Sequence, residues 1–84
     1  MNFISAYTLP EAPDILYRLL AERPRESWVS HQEMPTLEQH RIFIYQHPFR
    51  YWLLIEDAGA YVGAIEVTDL NEIGISIFKQ YQWK

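Results

Sequence analysis

Three apolar runs separated by short polar turns constrain the fold of this chain more than any other feature of its sequence. The runs are Arg50–Glu56 (RYWLLIE), Ala60–Val67 (AYVGAIEV) and Glu72–Phe78 (EIGISIF). Asp57-Ala58-Gly59 and Thr68-Asp69-Leu70-Asn71 connect them, and turns this short join antiparallel neighbours. Both alternating faces of the runs are apolar, which predicts a three-stranded antiparallel meander that is covered on both sides.

A strand and a first helix are predicted upstream of the meander. Residues 2–9 alternate, with Phe3, Ser5 and Tyr7 on one face and Ile4 and Ala6 on the other. From Asp14 the apolar residues follow a helical period, and Pro24 predicts that this helix ends at about Arg23. The apolar stripe consists of Ile15, Leu16, Leu19 and Leu20.

A second helix is predicted after a loop at residues 24–35. Thr36 and Gln39 have the spacing of a capping box, in which each side chain bonds to the main chain of the other residue. Pro48 predicts an end at about Gln46, with His47 outside the α region. The core positions are predicted to be Leu37, Phe43 and Ile44. The fold class is therefore α+β in the order β-α-α-β-β-β, with a mixed, mostly antiparallel sheet.

Composition excludes several classes of protein. The 84 residues suffice for one domain and are 49% hydrophobic, which favours a packed core. The net charge of −4 and the scattered seven basic residues argue against a nucleic-acid partner. The chain has no cysteine, no signal peptide pattern and no apolar run of about 20 residues, so we expect no disulfide, no thiolate metal site and no membrane span. A cytoplasmic location is the resulting expectation.

The element order and the segment EIGISIFKQYQWK together resemble the N-terminal half of the GNAT superfamily of acetyl-CoA-dependent N-acetyltransferases. Members often carry Glu-Ile-Gly on this strand, followed by a pyrophosphate-binding turn of the form Gln/Arg-x-x-Gly-x-Gly/Ala. Gln82, Trp83 and Lys84 occupy the first three places of that turn, with Trp83 where many members have a small residue. We therefore expect residues 1–84 to be the N-terminal portion of a single acetyltransferase domain that continues beyond Lys84.

The resemblance implies how the cofactor would bind. In this superfamily the strand donates main-chain hydrogen bonds to the pantetheine arm of acetyl-CoA, which assigns the role here to Ile75, Ser76 and Ile77. The pyrophosphate would bind at the turn that begins with Gln82, Trp83 and Lys84, because glycines and a helix N-terminus accommodate phosphates there. The acceptor would be an amine of a small molecule, an amino sugar or a protein N-terminus.

Two carboxylates are candidates for the chemistry. Amine acetylation requires a neutral amine, so a base within reach of the amine is needed. Glu72 is the first candidate, since some members use a glutamate at the start of this strand. Alternation predicts that Glu72 shares a face with Gly74 and Ser76, whose small size would leave space beside it. The alternative for Glu72 is a solvated glutamate at the end of the strand. The second carboxylate, Glu66, either meets solvent or enters the acceptor cleft.

Histidines and aromatic residues offer weaker candidates. His40 and His47 are two helical turns apart, roughly 10.5 Å, which is too far for one metal ion. His31 and Trp28 lie in the loop that borders the acceptor pocket in the resembled superfamily; an ordinary loop histidine and a core tryptophan are the alternatives. No metal site is predicted.

A function from another class remains open. The chain could be a non-catalytic α+β interaction module that pairs through its last strand. In the resembled fold a later helix covers one sheet face and a later strand pairs with the last one. Residues 1–84 alone would then leave an apolar face and a strand edge uncovered, which predicts a homodimer or a complementing chain.

Overall fold

The computed structural model describes residues 1–22 and 34–82. Two helices and one four-stranded sheet form an α+β fold in the predicted order. The strands are β1 (Asn2–Ser5), β2 (Tyr51–Asp57), β3 (Ala60–Val67) and β4 (Ile73–Ile77), and the helices are α1 (Ala12–Ala21) and α2 (Leu37–Tyr45). A single turn of 3₁₀ helix, Lys79–Tyr81, follows β4.

The sheet has the order β1-β2-β3-β4, and each pairing between these strands is antiparallel. A β-bulge interrupts the β2–β3 register between Ile55 and Glu56. The hairpin at Ala58 and Gly59 has positive φ at both residues, 52° and 82°, as a two-residue type I′ turn requires. The three predicted strands of the meander are therefore confirmed, with ends that differ by one residue or less.

Both helices pack on one face of the sheet and form the core with it. The buried cluster contains residues of α1, α2 and the sheet: Ala6, Ala12, Ile15, Leu16, Leu19, Ile44, Trp52, Leu54, Ala64 and Phe78. Three of the four residues in the predicted α1 stripe are in this cluster, and Leu20 is half-buried. Helix α1 begins at Ala12, two residues before the predicted start, because a proline fits the first turn of a helix and Pro13 lies there.

Helix α2 confirms the predicted cap and changes the predicted core. Thr36 Oγ1 accepts from the Gln39 N–H at 3.1 Å, and Gln39 Oε1 accepts from the Thr36 N–H at 2.9 Å. His47 follows the helix with a φ of 52°, outside the right-handed α region as predicted before Pro48. Ile44 is buried, but Phe43 is 43% exposed and the other buried residue is His40. Phe43 nevertheless faces the core as predicted, since its ring contacts that of Trp52 with centroids 6.1 Å apart, but it lies at the exposed rim.

The first strand is shorter than predicted, since it ends at Ser5 and the chain then turns. The main-chain N–H groups of Thr8 and Leu9 both donate to the Ser5 carbonyl. This turn redirects Tyr7, which alternation had placed with Phe3, so that it packs against the core cluster. The Tyr7 hydroxyl donates to the Phe49 carbonyl at 2.7 Å and accepts from the Phe49 N–H at 3.1 Å.

The second face of the sheet carries a continuous set of apolar side chains on which neither described helix packs. Alternation along the strands and the observed register place these residues together. We call this surface the open face; it consists of Phe3, Tyr51, Leu53, Ile55, Ile65, Val67, Ile73, Ile75 and Ile77. Four of them remain at least 54% exposed: Phe3, Tyr51, Ile73 and Ile75.

Candidate functional site

Strand β4 lies at the edge of the described sheet, with β3 as its single neighbour there. The Phe78 N–H donates to the Val62 carbonyl at 2.9 Å, and the Thr68 N–H donates to the Glu72 carbonyl at 2.9 Å. In an antiparallel pair these bonds recur at every second residue. Gly74 and Ser76 therefore bond to β3, whereas the main-chain groups of Ile73, Ile75 and Ile77 point to the outer edge.

The three residues predicted to contact pantetheine are consequently not equivalent. Ile75 and Ile77 present their main chain at the outer edge of β4, where an extended ligand could bind as a further strand. Ser76 presents its main chain to β3, opposite Ala64. Sequence could not separate them, because the hydrogen-bonding phase of a strand depends on its register with a neighbour.

Gln82 closes the C-terminal end of this edge. Its side-chain Nε2 donates to the Ile77 carbonyl at 2.8 Å, across the 3₁₀ turn Lys79–Tyr81. This bond confirms the outward direction of the Ile77 carbonyl and holds the predicted start of the pyrophosphate turn against β4. Trp83 and Lys84, the other two residues predicted for that turn, lie outside the described residues, as do Trp28 and His31.

Glu72 lies at the opposite end of β4, in the turn that precedes it. It is exposed, and its N–H donates to Thr68 Oγ1 at 3.1 Å. With a rise of about 3.4 Å per residue, β4 separates Glu72 from Ile77 by about 17 Å. A ligand that contacts both ends must therefore be long and extended.

The space predicted beside Glu72 is occupied by another carboxylate. Glu66 lies opposite Gly74 in the β3–β4 register. A Cβ atom at Gly74 would lie 3.1 Å from Glu66 Cγ and 3.3 Å from its Cδ, so the glutamate side chain lies across the glycine. Glu66 projects to the same side of the sheet as Trp52, which is opposite it on β2. The expectation of open space over Gly74 was therefore wrong.

A cavity of about 450 Å³ lies at the C-terminal end of β4. It opens between the end of α1, the start of β3 and the 3₁₀ turn, and aromatic side chains of Tyr61, Phe78 and Tyr81 contribute to its wall. The Arg18 guanidinium lies 5.6 Å from the centroid of the Phe78 ring. Glu22 Oε1 accepts from the Lys79 N–H at 2.8 Å. The cavity thus combines polar and apolar walls, and it is lined by one cationic side chain, Arg18, and one carboxylate, Glu22.

The histidines lie among aromatic rings. His40 is 7% exposed, with ring centroids of Tyr17, Phe43 and Trp52 within 6.4 Å of its own. The His47 ring stacks on Tyr7 at 4.0 Å with an interplanar angle of 6°. No group of three or more His, Cys, Asp or Glu residues within 1–22 and 34–82 is arranged to hold a metal ion.

No helix in the described parts of the chain has the length and apolar composition needed to cross a membrane. Comparison with protein-family models, curated proteins and solved structures finds no match to this chain. The candidate site is therefore defined by its own geometry: an outward-facing β4 edge with Glu72 at one end and Gln82 beside a cavity at the other.

Proposed function

We propose that this chain forms the N-terminal part of an acetyl-CoA-dependent N-acetyltransferase, in which β4 is the strand that binds the cofactor. The observation that carries the proposal is the edge position of β4, with the main chain of Ile75 and Ile77 directed outward. An extended ligand arm could accept and donate hydrogen bonds there as an added strand would. The resemblance of EIGISIFKQYQWK to the acetyltransferase segment supplies the identity of that ligand.

The ends of β4 fit the two ends of such a cofactor. Gln82 and the neighbouring cavity lie where the pyrophosphate would bind, and Arg18 provides a cation at that end. Glu72 lies at the other end, near the thioester of a cofactor extended along the strand. The amine nitrogen would attack the thioester carbonyl carbon, the C–S bond would break, and the amine proton would pass through Glu72 to the leaving thiolate.

Affinity for acetyl-CoA tests the cofactor assignment. We expect residues 1–84 alone to be inactive and to bind acetyl-CoA with a dissociation constant of about 1–10 mM, because they include only the first three places of the resembled pyrophosphate-binding turn. In amide NMR spectra of the ¹⁵N-labelled chain, acetyl-CoA at about 10 mM should shift the amides of Ile75, Ile77 and Gln82. ADP, which lacks the pantetheine arm, should leave Ile75 unshifted.

A proline variant supplies the matched control. Ile75→Pro removes one outward N–H at a strand edge, where proline is tolerated. It should abolish the acetyl-CoA-dependent shift at Ile77, whereas Ile73→Pro, at the first residue of β4, should retain that shift. Absence of any β4 shift with the unsubstituted chain at about 10 mM acetyl-CoA, or micromolar binding, would contradict the proposal.

The alternative function is an interaction module that pairs through the edge of β4. The same outward-facing main chain favours it, since an exposed edge accepts a strand from another polypeptide as readily as a cofactor arm. Its signature differs from that of cofactor binding. The Ile75 and Ile77 amides would then become protected from hydrogen exchange as protein concentration rises, because a partner strand bonds to them, and acetyl-CoA would have no effect.

A further inference from the structure

We infer that the open face is the dimer interface of this 84-residue chain and that its occupant is the open face of a second copy. The inference is independent of the proposed acetyl-CoA site, which uses the main-chain edge of β4 and the helix-covered side of the sheet. It depends on the exposed apolar area of the open face and on the absence of charge there.

The exposed apolar area of the open face matches the largest patches found on monomer surfaces, which are often functional. Ile73 is 69% exposed, Ile75 is 64% exposed, Tyr51 is 55% exposed and Phe3 is 54% exposed. With about 200 Å² for each full side chain, these four leave roughly 500 Å² of apolar surface open. The partly exposed residues between them join the four into one patch, because Tyr51, Val67 and Ile73 are consecutive partners across three strands.

The area also reaches the size that a dimer requires. Two such faces would together bury about 1,000–1,200 Å², above the usual size of non-specific contacts and at the lower end of specific interfaces. Interfaces of this size cover a wide range of affinity, and this one lacks polar anchors at its centre. We therefore expect a dissociation constant of about 10–100 µM.

The absence of charge on the open face favours a second copy over a charged partner. Each residue of the open face is uncharged. Two copies therefore meet without like-charge repulsion, although each chain carries a net charge of −4. Two sheets that pack face to face in sandwich folds lie at an angle of about 30°, which is the arrangement expected for two open faces. A two-fold axis through the face makes the interface isologous and closed.

Sedimentation velocity on the 84-residue chain from about 5 to 500 µM tests the inference. We expect a shift from the monomer of 10.1 kDa to a dimer as concentration rises. Ile75→Lys places a charge on the open face and should remain monomeric throughout. Leu70→Lys is the matched control, because Leu70 is 81% exposed in the β3–β4 turn and away from the face; this variant should dimerise like the unsubstituted chain.

Two further readouts make each outcome decisive. Thermal unfolding of Ile75→Lys at low concentration should match that of the unsubstituted monomer, so loss of the dimer cannot be attributed to loss of fold. Intermolecular methyl NOEs in a mixed-label dimer should involve Ile73 and Ile75. A chain that is monomeric at all concentrations, a dimer that Ile75→Lys leaves intact, or NOEs confined to other surfaces would each overturn the inference.

Discussion

The side chain of Glu66 lies across Gly74, so that a Cβ atom on the glycine would stand 3.1 Å from Glu66 Cγ. This relationship joins β3 to β4 and places a carboxylate on the side of the sheet that carries Trp52. Gly63 makes a different close approach on the open face. A Cβ there would meet the Ser76 carbonyl oxygen and lie 2.8 Å from Ile77 Cδ1 and 3.0 Å from Ile77 Cα.

The two glycines should therefore respond differently to alanine. Gly63→Ala forces main-chain atoms of β3 and β4 apart, and we expect it to lower the free energy of unfolding by about 2–3 kcal/mol. Gly74→Ala meets only a side chain that can rotate away, and its effect should stay within about 1 kcal/mol. Urea denaturation at equilibrium measures both changes, and equal effects of the two substitutions would contradict these contacts.

The acetyltransferase proposal predicts unequal roles for the two glutamates. In a catalytically active protein that contains this chain, Glu72→Gln should lower kcat/KM by about 100-fold if Glu72 is the base, because it removes the basic carboxylate and keeps the size. Glu66→Gln is the control on the neighbouring strand. A Glu72→Gln variant with unchanged rates from about pH 6 to 9 would show that Glu72 is a solvated surface residue.

Tyr7 connects the turn after β1 to the segment before β2. Tyr7→Phe removes both hydrogen bonds with the Phe49 main chain and should lower the free energy of unfolding by about 1–2 kcal/mol. Tyr45→Phe is the matched control, since Tyr45 is 77% exposed, and it should be neutral. Chemical denaturation at neutral pH distinguishes the two variants, and a neutral Tyr7→Phe would contradict the assigned bonds.

The same tyrosine should make stability depend on pH in the alkaline range. Burial raises the pKa of Tyr7 above its ordinary value of 10.0; the Phe49 main-chain hydrogen bond opposes this, and Asp69 adds to it. A raised pKa in the folded state means that unfolding favours loss of the proton. The stabilisation that comes from the raised pKa of Tyr7 is therefore complete below pH 10. It is lost as pH rises through the pKa that Tyr7 has in the folded state. The stability difference between the unsubstituted chain and Tyr7→Phe should shrink above pH 10; a constant difference would contradict the shift.

The turn of the β2–β3 hairpin contains a residue type, alanine, that its backbone conformation disfavours. Ala58 has a φ of 52° at the first position of a type I′ turn, where asparagine or glycine is preferred. Ala58→Asn should raise the free energy of unfolding by about 0.5–1 kcal/mol. Gly59→Ala, at a φ of 82°, should lower it. Thermal denaturation provides the comparison, and destabilisation by Ala58→Asn would show that the turn adopts another conformation.

Local sequence signals predicted most of the fold. The capping box of Thr36 and Gln39 and the glycine of the first hairpin are chemical requirements of particular backbone shapes, so their positions follow from sequence. The burial of His40 did not follow, because its position among the rings of Tyr17 and Trp52 depends on how α2 packs. The turn after Ser5 directs Tyr7 to the core. It did not follow from local sequence either, because it depends on tertiary contacts.

The candidate site was predicted less completely, for a related reason. Main-chain recognition leaves no trace in side-chain identity, so Ile75 and Ser76 were indistinguishable until the register with β3 was known. The position of Glu66 over Gly74 also depends on that register. Side-chain alternation alone did place Gly74 and Ser76 on one side of β4, opposite Glu66 and Ala64 of β3.

Amide hydrogen exchange along β4 tests the central claim, that this strand is an open edge able to bind a cofactor arm, most directly. In the 84-residue chain, the amides of Gly74 and Ser76 should exchange slowly, since they bond to β3, and those of Ile75 and Ile77 should exchange quickly. Acetyl-CoA at about 10 mM should slow exchange at Ile75 and Ile77 and leave Gly74 and Ser76 unchanged. Uniform protection along β4 without ligand, or no change at Ile75 and Ile77 with it, would contradict the account.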